Sequence, residues 1–297
     1  MQLAQRDPEI YEGLSTIIDK YDGLIIDLWG VIHNGVNIYE GVIECLKRLK
    51  DYHKQVVFLS NAPRRKSIIQ LHLNELGISK DLYQDIFTSG EDFYLHLRDR
   101  TDPWYVSLGS RCFHLGLEAK IKNLCPDLTL QYVKHLEEAE FILNTGLDLE
   151  EDSFVPFDPG FIAAIEKGIP MICTNPDEIV IHSDKTIFPA GYLARRYEQL
   201  GGFVRYHGKP YSSIYEQVTK LFNNSDSMRL LAIGDSLMTD IKGANQAKID
   251  SVLIAGGIHG KELNFKDSAF LSLNIYEKLW EKYKTKPTFV LPLFKWR

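Results

Sequence analysis

Several short apolar runs in this chain stop abruptly at polar residues, and that pattern constrains the fold more than any other feature. Leu24-Ile25-Ile26 ends in Asp27, Val56-Val57-Phe58-Leu59 ends in Ser60-Asn61-Ala62-Pro63, and Arg229-Leu230-Leu231-Ala232-Ile233 ends in Gly234-Asp235. Runs of this length bounded by turn signals are the pattern of parallel strands buried on both faces. Ligands of open α/β sheets bind beyond the carboxyl ends of the strands, so a carboxylate there is placed for chemistry. Asp at a strand end is also a common turn starter, so Asp27 alone leaves both readings open. Gly30 and Gly35 then permit a tight, irregular passage away from the strand.

The segments between the runs have helical spacing. Residues 8–20 suggest a lead-in helix starting at Pro8, and residues 29–40 a loop or small β-flap. Gly41 to Asp51 carries Val42, Ile43, Cys45, Leu46 and Leu49 at helical spacing, and a helix bearing Ile68, Ile69, Leu71, Leu73 and Leu76 closes at Gly77. From about residue 90 the rhythm continues as a separate unit. Strands are expected at Tyr105–Gly109, Glu140–Gly146 and Pro170–Asn175, with an Asp-capped, Gly-stopped helix in DPGFIAAIEKG and polar connections such as DLEEDSFVPFD. Helices at 190–200 and about 212–222, a strand at Phe203–Tyr206, a helix at 241–247 and a strand at Ser251–Ile254 resume the first pattern. Thr288–Pro292 suits an edge strand, where Pro is tolerated. Residues 90–187 therefore read as an α/β insertion between 1–89 and 188–297.

Composition narrows the function. A chain of 297 residues is long for one ordinary core. A net charge of −6 without a Lys/Arg stripe argues against nucleic acid. The scattered Cys45, Cys112, Cys125 and Cys173, with no CxxC, suit reduced thiols in a cytoplasmic protein and argue against a zinc site. No apolar run is long enough to span a membrane. The polar, acidic start MQLAQRDPEIYEG resembles neither a secretory signal nor a transit peptide. Gly256-Gly257-Ile258-His259-Gly260-Lys261-Glu262 lacks the spacing and the Ser/Thr of a P-loop, and no GxGxxG follows a strand.

In a parallel sheet, Asp27, Ser60-Asn61 and Asp235 converge on one crevice, joined by Gly208-Lys209-Pro210 and Asp240. Carboxylates with oxygen donors make a hard site for Mg²⁺. A lysine and a hydroxyl supply fixed donors for a phosphoryl group, which a carboxylate can attack to form an aspartyl-phosphate. The succession Asp-x-x-Gly-Val, Leu-Ser-Asn, Gly-Lys-Pro and Gly-Asp-Ser-x-x-Thr-Asp resembles the haloacid dehalogenase (HAD) superfamily. The insertion and the TNPD at 174–177 resemble its NagD-like class IIA branch of sugar- and nucleotide-phosphate phosphatases. The resemblance spans about residues 20–260 and implies an α/β fold, a HAD-like doubly wound parallel sheet core with an inserted α/β cap domain. It implies Asp27 as nucleophile and Mg²⁺ ligand, and the Trp29 backbone carbonyl as a second ligand. Asp235 would be a further ligand, and Asp240 would ligate the ion or hold its waters. Ser60 and the Asn61 backbone would bind phosphoryl oxygens, and Lys209 would position nucleophile and phosphate. Asn175 and Asp177 are candidates on the substrate side. The expected partner is a small phosphorylated metabolite, and a homodimer through the insertion is a family-level expectation.

One position departs from the family pattern. The usual motif is Asp-x-Asp, whose second Asp is the general acid/base; here that position is Trp29, as in a NagD-like subgroup with the same Asp-x-Trp-Gly-Val start. Indole cannot exchange a proton near neutral pH. His33, on the expected flap, is the nearest titratable replacement, although a structural flap histidine is the plainer reading. His182, His207 and His259 show no ligand spacing and read as surface or loop residues. Weak phosphomonoester hydrolysis is the leading expectation. The alternatives are a phosphometabolite-binding protein whose chemistry has decayed, or cleavage of a carbon–halogen or carbon–phosphorus bond.

Overall fold

A computed structural model describes residues 7–147, 149–150, 157–182, 185–223, 227–263, 265 and 273–297. Its strands, in chain order, are β1 (Glu9–Ile10), β2 (Gly23–Ile26), β3 (Gln55–Ser60), β4 (Asp85–Thr88), β5 (Arg111–Gly116), β6 (Gln131–Tyr132), β7 (Phe141–Gly146), β8 (Leu149–Glu150), β9 (Met171–Cys173), β10 (Val180–His182), β11 (Lys185–Phe188), β12 (Val204–Tyr206), β13 (Leu230–Gly234), β14 (Asp250–Ile254) and β15 (Phe289–Leu291). The chain divides into two compact units. One comprises Met1–Ser60, Gln70–Phe87 and Lys209–Arg297, the other Asn61–Ile69 and Thr88–Gly208.

The first unit holds a sheet of order β1-β15-β14-β13-β2-β3-β4. Pairings from β1 through to β3 are parallel. The apolar runs explain the order. Every residue of β2 is buried, and β3 and β13 are buried beyond their first residue, so these strands occupy the middle. From β2 the chain moves to β3 and β4 on one side, then returns as β13, β14 and β15 on the other. The order therefore reverses between β2 and β13, where such a sheet opens a crevice at its carboxyl edge.

The second unit holds a parallel sheet of order β12-β9-β7-β5-β6 and an antiparallel one of order β10-β11-β8. One of its cores gathers Ile142, Phe161, Met171, Leu193, Ala194 and Tyr197. The C-terminal boundary of this unit differs from the expected 187/188. The helix Ala190–Gln199 buries its apolar side in that core, and β12 pairs with β9, so residues up to Gly208 group with the insertion.

Local departures have identifiable causes. Residues 8–20 form β1 and two 3₁₀ turns, Leu14–Thr16 and Ile18–Lys20, instead of a helix. Parallel pairing of Glu9–Ile10 with β15 claims the start of the segment and makes β1, not β15, the edge strand. The strand expected at 105–109 is the helix Pro103–Ser107; the Asp102 side chain accepts from the Trp104 N–H and Pro103 occupies the first turn. The strand in this region is β5, a few residues later. Residues 151–156 of the polar connection DLEEDSFVPFD lie outside the described residues. All four cysteines are free and buried, and among the described residues no helix is long and apolar enough to cross a membrane.

Phe58 is fully buried in β3, its ring 5.0 Å from that of Tyr83. Phe58→Ala removes a large side chain from a close-packed layer and should cost about 3–5 kcal/mol, read as a lowered midpoint in urea unfolding of the first unit; an unchanged midpoint would contradict this packing.

Candidate active site

Strand register assembles the site. Ile26 of β2 lies opposite Ile233 of β13 and Phe58 of β3. The next residue, Asp27, extends the ladder by donating its N–H to Ile233 O at 2.8 Å. Asp27 thus stands at the end of the central strand, with Gly234-Asp235 following on one side and Leu59-Ser60 on the other. After β13 the backbone widens into a single π turn, Leu237–Ile241, an element often found at functional sites. This turn carries Asp240 back over the strand end, where its Oδ2 accepts from Ser236 N–H at 3.1 Å. Tyr215 OH donates to the Asp240 carbonyl at 3.0 Å.

Lys209 joins these groups. Its Nζ lies 2.5 Å from Asp27 Oδ1, 2.6 Å from Asp240 Oδ1 and 3.2 Å from Leu59 O, three acceptors around an ammonium with three donors. Lys209 is 3% exposed, and Asp27, Asp235 and Asp240 are 7%, 6% and 5% exposed. Burial opposes the ammonium charge, but Asp240 and Asp27 outweigh it and hold the Lys209 pKa well above its usual value. Asp235 moves the opposite way for a carboxylate. Burial, then the charges of Asp27 and Asp240, push its pKa well above 3.8, against the Ile258 N–H that donates to Oδ2 at 2.8 Å. Gly30, at φ +84°, makes the close approach to Asp235 possible, because a Cβ there would overlap the Asp235 carboxylate.

Asp27, Asp235 and Asp240 each offer an oxygen, all within 4.8 Å of one another. With one lysine among them they carry an excess of two negative charges when ionised. An oxygen-only donor set with that excess fits a hard divalent cation such as Mg²⁺.

The remaining candidates fall in different places. Ser60 ends β3 and is 7% exposed. Asn61 is 4% exposed and groups with the second unit, where its Nδ2 donates to Asp177 Oδ1 at 2.8 Å. Asn175 Oδ1 accepts from the Asp177 N–H at 3.0 Å, so Asn61 and the TNPD loop are tied together within that unit. The half-buried Trp29 indole packs in the flap. Its ring lies 5.8 Å from that of His33, and a Cβ on Gly35 (φ +92°) would run into it. His33 is 5% exposed, its Nδ1 accepts from the Gly35 N–H at 3.0 Å, and burial together with His72 lowers its pKa to about 4.

Two histidines read as surface or loop residues are buried. His259 Nε2 accepts from the Leu237 N–H at 3.1 Å and so fastens the π turn. His207 is 2% exposed and packs in the second unit. Neither role was visible in spacing, because the partners lie 22 and 115 residues away. His182 ends β10.

Family models described as haloacid dehalogenase-like hydrolase and HAD-hydrolase-like match residues 24–125 and 206–292. The chain belongs to the haloacid dehalogenase superfamily. Within it, the relatives place this hydrolase on the NagD-like class IIA branch. It is 25% identical to a D-glycerol 3-phosphate phosphatase of Mycobacterium tuberculosis over 83% of this chain and 66% of that protein, just under two thirds of the relative's length. It is 25% identical to a 5′-nucleotidase of Bacillus subtilis over 82% of this chain and 90% of that one. A crystal structure of a haloacid dehalogenase-like hydrolase from Brucella suis superposes with a TM-score of 0.77 at 28% identity, covering 96% of this chain and 99% of that one.

The raised Asp235 pKa fixes a pH dependence. A carboxyl whose folded pKa is raised contributes stability below its unfolded value, and that contribution is lost as pH rises through the folded value. In a chelator, Asp235→Asn should therefore melt above the unsubstituted protein near neutral pH, the gap closing toward pH 3.8. Added Mg²⁺ should narrow or invert the neutral-pH gap by binding the native carboxylates. A neutral-pH melting point for Asp235→Asn equal to or below that of the unsubstituted protein in chelator would contradict this charge balance.

Proposed function

We propose that this hydrolase is a Mg²⁺-dependent phosphatase of small phosphomonoesters, sugar or nucleotide phosphates, acting through an aspartyl-phosphate on Asp27. The observation that carries the reading is the Lys209 bridge between Asp27 and Asp240, with Asp235 beside it. Asp27, Asp235, Asp240 and the Trp29 carbonyl would hold the ion. Bound there, it would supply positive charge to neutralise the carboxylates and the phosphoryl oxygens.

The chain's own groups account for the other steps. Lys209 holds Asp27 Oδ1 and steadies the carboxylate, which attacks phosphorus. The bond from phosphorus to the ester oxygen breaks as the bond to Asp27 forms, and the leaving alkoxide takes its proton from solvent water. Ser60 Oγ–H and the Asn61 N–H donate to phosphoryl oxygens, and Lys209 offsets the charge that accumulates on them. Water then attacks phosphorus, the bond from phosphorus to the Asp27 oxygen breaks, a proton passes to solvent, and the Asp27 carboxylate and phosphate are released. Asn175 and Asp177 belong to the insertion, which on this reading is the cap that excludes water and selects the substrate. The phosphatase relatives support the substrate class.

The proton steps are the weak point. Trp29 replaces the usual acid/base, and His33, neutral near pH 7 with Nδ1 occupied, is poorly placed to substitute. Turnover should then depend steeply on the leaving group, since aryl phosphates depart without a proton and alkyl phosphates do not. This observation also favours a second reading, a phosphometabolite-binding protein with decayed chemistry.

A panel of phosphomonoesters, assayed with and without Mg²⁺, tests the reading. Mg²⁺-dependent release should occur and fall about 10³-fold or more in Asp27→Asn. No release from any ester, with phosphate still bound, would select the binding protein. Trp29→Asp restores a carboxyl at the acid/base position and should raise kcat for an alkyl phosphate by about 10²-fold or more, with little change for 4-nitrophenyl phosphate. An equal effect on both esters would show that proton delivery is not what Trp29 withholds.

A further inference from the structure

The second unit contains a buried polar cluster that the proposed reaction does not use. The helix Ser89–Asp99 places Asp92 and His96 one turn apart on the same face. His207 follows β12, which the β9 pairing and the His207 N–H to Cys173 O bond (2.9 Å) hold in place. His207 Nδ1 lies 2.6 Å from Asp92 Oδ2, and His96 Nδ1 lies 3.4 Å from Asp92 Oδ1. One ligand atom from each of the three residues falls within 4.8 Å of the others. The two imidazole rings are 5.2 Å apart between centroids.

The carboxylate is the informative group. The Asp92 side chain is 1% exposed, and its Oδ1 has no hydrogen-bond partner among the described residues. A buried carboxylate oxygen left unsatisfied is costly, and such an atom in a native fold calls for an explanation. A hydrogen-bonded relay from Tyr105 through His207 to Asp92 explains Oδ2 but not Oδ1. A cation held by both oxygens of the Asp92 carboxylate and by the two rings satisfies all three groups, replacing the His207 proton that Oδ2 otherwise receives.

We propose that Asp92, His96 and His207 form a second metal site, inside the inserted unit, for a borderline transition-metal ion of the Zn²⁺ type. Two imidazole nitrogens and one carboxylate oxygen are a donor set for such an ion, whereas Mg²⁺ prefers oxygen ligands and water. The ring partners fit ligation. When His207 Nδ1 takes the metal, its proton moves to Nε2, where the Tyr105 oxygen accepts it, the outer hydrogen bond that orients a ligating histidine. His96 Nδ1 exchanges its contact with the Asp92 carbonyl, 2.8 Å away, for the metal. His96 is the ligand that reaches solvent, its side chain 22% exposed. It marks the entry path and the side on which a water would complete a tetrahedron.

The test uses the full chain, stripped with a chelator and titrated with Zn²⁺ in excess Mg²⁺, so that Mg²⁺ occupies the oxygen-only carboxylates of the first unit. Competition against a chromophoric chelator should show one tight Zn²⁺ equivalent. Asp92→Asn and His96→Ala should each weaken it by about 10²-fold, since disturbing even an outer partner of a metal ligand costs 10–100-fold, while Asp235→Asn should leave it unchanged. Co²⁺ in place of Zn²⁺ gives the unsubstituted protein visible absorption characteristic of four-coordinate nitrogen and oxygen ligation, and His96→Gln should abolish it. Circular dichroism of the His96 variants, changed at the most exposed ligand, separates loss of metal from loss of fold. The proposal is overturned if no Zn²⁺ is retained against Mg²⁺. Retention unaffected by both Asp92→Asn and His96→Ala, or lost in Asp235→Asn, overturns it equally. Because the readout is metal binding, these outcomes do not depend on whether the phosphatase reading holds.

Discussion

A buried ammonium holds the carboxyl edge of the first sheet together. Lys209 reaches Asp27 after β2, Leu59 in β3 and Asp240 in the π turn after β13. Without it three carboxylates would share a water-poor corner at the switch point of the sheet. With it two negative charges remain in excess when all three are ionised, and burial together with the charges of Asp27 and Asp240 raises the pKa of Asp235. A cation relieves it further, and an incoming phosphate needs the same positive charge. The electrostatic imbalance that the fold tolerates is thus the one that the proposed reaction uses.

On the proposed reading, Trp29 changes what this corner can do without changing how it is built. Asp27 to Gly30 still makes the tight exit from β2, and Gly30 still lies against Asp235. The indole instead packs into the flap, against His33 and over Gly35. Position 29 therefore contributes shape where the family pattern contributes a proton. On the proposed reading the fold and the carboxylate cluster persist while position 29 lacks a proton donor, so chemistry and architecture can be separated in this chain.

Much of the first unit was legible in the sequence. The runs before Asp27, Ser60 and Asp235 are buried strands because a parallel sheet covered on both faces accepts apolar residues at every position. The three strands lie side by side, so their polar ends meet. The failures came where a distant partner decided the outcome. Residues 8–20 suggested a helix from Pro8, but β15 captured Glu9–Ile10 as a strand and the rest formed two 3₁₀ turns. Tyr105–Gly109 looked like a strand, although Asp102-Pro103 before it carried a helix-start signal. The boundary near residue 187 rested on local polarity, whereas β12 belongs with β9, more than thirty residues earlier in the chain.

The sequence by itself determined the fold class, the order of the strands in the chain and the identity of the carboxylates and lysine at their ends, because strand burial and turn chemistry are written in neighbouring residues. Tertiary structure decided how those groups combine. Register set Asp27 beside the end of β13, a π turn brought Asp240 to Lys209, and burial made His207, His259 and Asp92 internal groups. Each of these depends on a partner at least 22 residues away, and no local periodicity encodes such a pairing. It emerges only when packing fixes which strand ends and helix faces share one interior.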